Sequence, residues 1–133
     1  MYGASIGIKA WSVLDLITAF KQGLPFKVLA ELESQLLIPE AKLAAAVDIP
    51  KSTLSRRAEE GRFTCSESER LFRIVRISER AVEVLGSNES ARSWFQAPVS
   101  ALGGKAPLEY IDTEIGAREV ENILGRIQHG VLS

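Results

Sequence analysis

Side chains suited to covalent or metal chemistry are scarce in these 133 residues: one cysteine, Cys65, and one histidine, His129. A lone thiol closes no internal disulfide, and nothing around Cys65 has the spacing of zinc ligands. A single histidine leaves little from which to assemble a nucleophile–base pair, and there is no Gly-x-Ser-x-Gly elbow and no recognisable paired-carboxylate cleft. Gly103-Gly104-Lys105 has the residue types of a phosphate loop, but it lacks the Walker spacing and follows no strand. The inventory points away from catalysis. No catalytic residue, metal or cofactor is expected.

A different chemistry is written between Glu40 and Arg62. Its spacing matches a helix-turn-helix, with Leu43 and Val47 inward on a first helix and Ala44 small at the crossing. Ile49 plugs the turn, and Leu54 anchors the second helix. With Leu54 buried, Lys51, Ser52, Thr53, Ser55 and Arg56 become the candidate DNA-reading residues, with Glu59 on the same side. Short polar and long basic side chains of this kind reach base edges and phosphates. Arg57 and Arg62 flank this face as candidate backbone contacts. Asp48 occupies the turn position usually given to glycine, and aspartate tolerates a left-handed conformation. The segment holds five basic and four acidic residues. So thin a charge implies a dimer on a palindromic operator, because phosphate neutralisation supplies much of the affinity.

The elements that must hold this face are helical. Apolar residues at Trp11, Leu14, Ile17 and Phe20 suggest one helix stripe, ended by Gly23, and Pro25 suits the first turn of the next. A short helix over Glu40–Ala46 and another from Pro50 to about Glu60 follow. Ser66 and Glu69 have capping-box spacing and would open a helix of about 19 residues ending at Leu85. A short helix bears Ala91, Trp94 and Phe95, residues 97–107 form a Gly- and Pro-containing loop, and a last helix starts near Thr113. No alternating strand pattern exceeds four residues. The expected class is all-α: a helix-turn-helix bundle followed by a small helical domain.

Sixteen basic against seventeen acidic residues exclude a strongly basic, histone-like binder. No run approaches ~18 apolar residues, and Met1–Ala10 lacks the regions of a signal peptide, so the expectation is a cytoplasmic chain without membrane contact.

The C-terminal third carries a more specific signature. Trp94 lies on a helix, and Leu102-Gly103-Gly104 leads to Pro107-Leu108. Asp112-Thr113 then precedes Gly116-Ala117, and Gly125-Arg126-Ile127 precedes Gly130-Val131. Upstream stand Gly23-Leu24-Pro25, Thr53-Leu54-Ser55-Arg56-Arg57, and Glu67 to Leu71 followed by Arg73. In this order the elements resemble the Xre-type antitoxins of RES–Xre toxin–antitoxin modules, the MbcA/ParS-like antitoxin family, over residues 23–133.

The resemblance implies an antitoxin that binds a RES-domain, NAD⁺-consuming toxin and covers its active site. It also implies autorepression of the operon through the helix-turn-helix. The division it suggests is an N-terminal helix or extension over 1–22, a helix-turn-helix domain over 23–86 and a toxin-binding domain over 87–133. The toxin-binding residues would be Trp94, Leu102, Gly103, Gly104, Pro107, Leu108, Arg126, His129, Gly130, Val131, Leu132 and Ser133. Trp94 and Phe95 also read as core aromatics, and Arg126 could pair with Glu119 or Asn122 on its own helix. A stand-alone helix-turn-helix regulator, whose C-terminal part dimerises or senses a ligand, is the other reading. The identity of the neighbouring gene product separates the two.

Val131 and Leu132 form an apolar end that would fray unless docked. Burying both is worth roughly 3–5 kcal/mol before ordering costs. Deleting Gly130–Ser133 is therefore expected to leave a folded, DNA-competent protein that no longer protects NAD⁺ from the cognate toxin. Full-strength inhibition by the truncated chain would remove the tail from the inhibitory surface.

Overall fold

One long helix organises the chain, and its start is a matter of capping. In the computed structural model, which describes residues 12–130, seven α-helices follow in order. They are α1 (Val13–Gln22), α2 (Lys27–Leu36), α3 (Glu40–Ala46), α4 (Lys51–Glu60), α5 (Cys65–Leu85), α6 (Asn88–Gln96) and α7 (Glu114–Gln128). Single 3-10 turns cover Ser100–Leu102 and Pro107–Tyr110. Among the described residues no strand forms beyond an isolated bridge between Pro25 and Arg62. The all-α expectation holds.

The capping box of α5 is Thr64 with Glu67, not Ser66 with Glu69. Thr64 is the extended residue whose hydroxyl accepts from the Glu67 backbone N–H, while the Glu67 carboxylate accepts from the Thr64 N–H. Ser66 already lies inside the helix, where its hydroxyl accepts from Arg70. The true box starts two residues earlier, and α5 runs 21 residues to Gly86. Its buried side, including Leu71, Phe72, Ile74, Val75, Ile77 and Ala81, is the floor on which α1, α6 and α7 pack. Leu29, Leu32 and Leu43 from α2 and α3 share one core with Phe95, Val120, Ile123 and Leu124 from α6 and α7. Truncating a fully buried Phe95 would cost about 3–5 kcal/mol.

The N-terminal stripe needs correction. Trp11 lies outside the described residues, and Leu14 is 73% exposed with Ile17 also exposed. The residues of α1 that meet the core are Leu16, Ala19 and Phe20, the last edge-to-face with Phe72 at 5.1 Å. A strict three-residue repeat rotates about 60° backward per step on a 3.6-residue helix, so it cannot hold one face. Residues 97–107 are also more ordered than a loop: Val99 N–H donates to Lys105 O at 3.0 Å, closing a turn around Leu102.

Two glycines are set by close approach. At Gly23, φ is +86° and an added Cβ would overlap the Phe63 carbonyl. At Gly116, in the first turn of α7, a Cβ would overlap the Tyr110 carbonyl. Gly23→Ala and Gly116→Ala are each expected to lower stability by roughly 2–4 kcal/mol in urea unfolding. An unchanged midpoint in either would mean that the neighbouring strand of chain moves aside freely.

Candidate functional site

The α3–α4 unit has the geometry that its spacing implies. Leu43, Ala44, Val47 and Ile49 are buried, while Asp48 is exposed at φ 59°. Ile49 N–H donates back to Ala44 O at 2.9 Å, which closes the turn. Arg70 of α5 then locks it, donating from Nε to Val47 O at 2.8 Å and from Nη2 to Asp48 O at 3.5 Å. Leu54 is half-buried against the core rather than fully enclosed.

Lys51, Ser52, Ser55, Arg56 and Glu59 are exposed together on the outward side of α4. Thr53 is half-buried, and its hydroxyl accepts from Arg56 Nη2 at 3.3 Å. Ser55 donates to Lys51 O at 3.3 Å. Pro50 provides α4 with no side-chain cap, so its first-turn N–H groups are open to an anion such as a backbone phosphate.

Arg57 and Arg62 are placed differently from the rest. The Arg57 guanidinium is half-buried and donates to both Glu67 carboxylate oxygens at 2.7 and 3.0 Å, and to Glu60 at 2.7 Å. Arg62 is exposed but donates to Gly23 O at 2.7 Å. Both side chains join elements of their own fold, and the shared outward face holds Lys51, Ser52, Ser55 and Arg56.

The C-terminal candidates divide by burial. Leu102, Pro107 and Leu108 are buried and shape the turn from within, while Gly103, Gly104, Arg126, His129 and Gly130 are exposed. Trp94 is half-buried beside Phe95, and it lines a groove of about 490 Å³ with Leu85, Ser90, Ser93 and Ala97. Arg126 pairs with Glu119 at 3.1 Å and lines a second groove, of about 570 Å³, with His129 and Arg80. The two grooves share no lining residue. Val131, Leu132 and Ser133 lie outside the described residues.

Sequence reasoning missed the connections between these faces. Arg73 donates to Glu114 at 3.0 Å and to the Ile111 and Asp112 carbonyls, and Arg76 reaches both Glu114 and Glu121. Leu108, Glu109 and Asp112 also border a groove of about 360 Å³ whose other wall is Lys42, Ala45, Ala46 and Asp48 of the α3–α4 unit. Partners some forty to seventy residues apart leave no local signal. The spacing Thr64-x-x-Glu67 could have singled out Glu67, had the earlier of two overlapping boxes been chosen. Among the described residues no group of His, Cys, Asp and Glu could hold a metal ion, and no helix is long and apolar enough to cross a membrane.

Glu67 has a titratable consequence. Burial pushes its carboxyl upward, but the Arg57 guanidinium and the Thr64 backbone N–H more than offset this and hold it below the ordinary carboxylate value. A carboxyl depressed in the folded state stabilises above its unfolded pKa of about 4.3, and that contribution disappears as pH falls through the lower folded value. Glu67→Gln should therefore cost about 1–3 kcal/mol at pH 7 and flatten the loss of stability on acidification. An unchanged acid slope would show that the Arg57–Glu67 pair contributes nothing to it.

Comparison with known proteins matches two family models along the chain. Residues 15–76 fit a family model described as the antitoxin Xre-like helix-turn-helix domain. Residues 80–130 fit the antitoxin Xre/MbcA/ParS C-terminal toxin-binding domain. The two matches meet inside α5, whereas the division read from sequence falls at its C-cap, Gly86. A protein named Antitoxin Xre from Yersinia enterocolitica is 37% identical over 130 residues, covering 96% of this chain and 88% of that one. Another of the same name from Photorhabdus laumondii is 31% identical over 131 residues, 97% of this chain and 88% of the relative. A Sphingobium protein named Prs ADP-ribosylating antitoxin is 25% identical over 132 residues, 92% of this chain and 83% of its own length.

Proposed function

The chain belongs to the Xre antitoxin family, and from that premise we propose that it neutralises a RES-domain, NAD⁺-consuming toxin and represses its own operon as a homodimer. That it is a type II antitoxin, not an enzyme, follows from the family. The observation that carries the proposal is the presence of two separate outward faces on one core. The α4 face offers Lys51, Ser52, Ser55 and Arg56 to solvent, and the C-terminal unit offers Trp94, Gly103, Gly104, Arg126, His129 and Gly130. In this reading Thr53 orients Arg56, and Leu102, Pro107 and Leu108 hold the 102–108 turn in a shape the toxin can meet. The name of the Sphingobium relative joins antitoxin to ADP-ribosylation, a chemistry that draws on NAD⁺ and so supports the toxin class.

Autorepression rests on the α4 face, and dimerisation on its charge. With Arg57 turned to Glu67 and Arg62 to Gly23, Lys51 and Arg56 are the cations left on that face. Two positive charges per copy neutralise few phosphates, so one copy would bind weakly. A homodimer on a palindromic operator places two such helices about 34 Å apart along the groove.

The protein encoded beside this chain's gene provides the test. Mixed with the purified antitoxin, it should lose its NAD⁺-consuming activity; continued consumption would overturn the neutralisation reading. In gel shifts on the promoter DNA, Lys51→Ala and Arg56→Ala should each weaken binding, by about 1–3 kcal/mol for a base-reading Arg56, with unfolding midpoints unchanged. Unaltered binding in both would remove α4 as the reading helix. Light scattering of the DNA complex should give two copies per operator, and tight binding of one copy to a half-site would contradict the dimer.

A further inference from the structure

Gly125 sits in the last turns of α7, where a glycine lowers helix stability relative to alanine. Its own fold does not require it. An added Cβ would meet nothing within 4 Å, and the residue lies in ordinary helix, in contrast to Gly116 at the other end, which the Tyr110 carbonyl forbids from carrying one. Gly125 instead forms part of the 570 Å³ groove between α5 and α7, with Arg80 on one wall and Asn122, Arg126 and His129 on the other. Any side chain at 125 would project into that groove.

The same side of α7 has further features without use inside the chain. Ile115 is 83% exposed in its first turn. Residues 115, 118, 122, 125 and 129 follow the three-and-four spacing of one helix face. Among the described residues, neither Asn122 nor His129 has a side-chain hydrogen bond or ion pair.

We propose that this face of α7 seats a segment of the cognate toxin, with Gly125 kept free of a side chain so that the segment's backbone can lie in the groove. The proposal deepens the toxin-binding reading and rests on it. The charges argue against the other occupants. Arg126 is paired with Glu119, and Arg80 donates to Gln128 at 2.6 Å with Glu83 nearby, so the groove has no surplus of cations for a nucleic acid. A second copy of this chain would need a larger apolar patch than Ile115 supplies. A polar protein segment fits: Asn122 and His129 offer hydrogen bonds to its backbone, Ile115 gives one apolar contact, and Gly125 allows close approach. All of these residues fall within the part of the chain that matches the toxin-binding domain.

The experiment measures binding of the protein encoded beside this chain's gene to the full-length antitoxin and its variants, alongside their thermal unfolding. Gly125→Ala should raise the melting temperature. Gly125→Leu should fold and lose affinity by about tenfold or more, as should Asn122→Arg, while Ala30→Leu, at an exposed position of α2, should bind as the wild type does. Opposite signs for folding and binding at one residue are what a purely structural glycine would not produce. Wild-type affinity in folded Gly125→Leu overturns the proposal; if that variant unfolds, wild-type affinity in Asn122→Arg overturns it. Failure of the wild type itself to bind overturns the toxin pairing, and this seat with it.

Discussion

The arginines of α5 reach outward from the core in sequence, and the rest of the molecule hangs on them. Arg70 holds the α3–α4 turn by its carbonyls, Arg73 holds the 111–112 carbonyls and Glu114, Arg76 holds Glu114 and Glu121, and Arg80 holds Gln128. A guanidinium offers several donors in a fixed plane, so one side chain can join two or three groups from another element. The apolar side of α5 brings these elements together, and its arginines set their angle. Ser68 extends the same service to the α1–α2 junction: its buried hydroxyl accepts from Leu24 N–H and donates to Thr64 O.

This use of arginine explains the thin positive charge on the outward side of α4. Arg57, Arg62 and Arg92 are likewise committed to Glu67, to Gly23 O and to Gln35 O. A chain of this size has a limited core, and charge-assisted hydrogen bonds between helices supplement it. These guanidinium groups are held by partners within the fold. What remains outward on α4 is Lys51 and Arg56, beside Ser52 and Ser55.

The two candidate faces are also joined through packed elements. The 107–110 turn lies beside the α3–α4 turn, and α5 spans the boundary between the helix-turn-helix and toxin-binding matches. Gly86 ends α5, Ser87 caps α6 directly after it, and α6 packs back on α5 and α2.

Local rules determined most of the elements. Glu40–Ala46 and the end of α4 at Glu60 were legible because apolar period, proline and glycine act within a few residues of one another. Leu43, Val47 and Ile49 as inward residues were legible for the same reason, and so was Thr113 as the cap of α7. Where two local readings competed, as with the overlapping boxes at Thr64 and Ser66, the sequence alone could not choose, because both satisfy the same spacing. Tertiary structure decided which side of α1 faces inward, that Arg57 turns to Glu67 and Arg62 to Gly23, and that Leu102 and Leu108 are core rather than surface. It also distinguished Gly116, crowded by a carbonyl, from Gly125, open to solvent, though both are glycines in one helix. The reason is range: caps, turns and periodicity are set by neighbours in the chain, whereas the occupation of a guanidinium or the space beside a glycine is set by groups that only packing brings near.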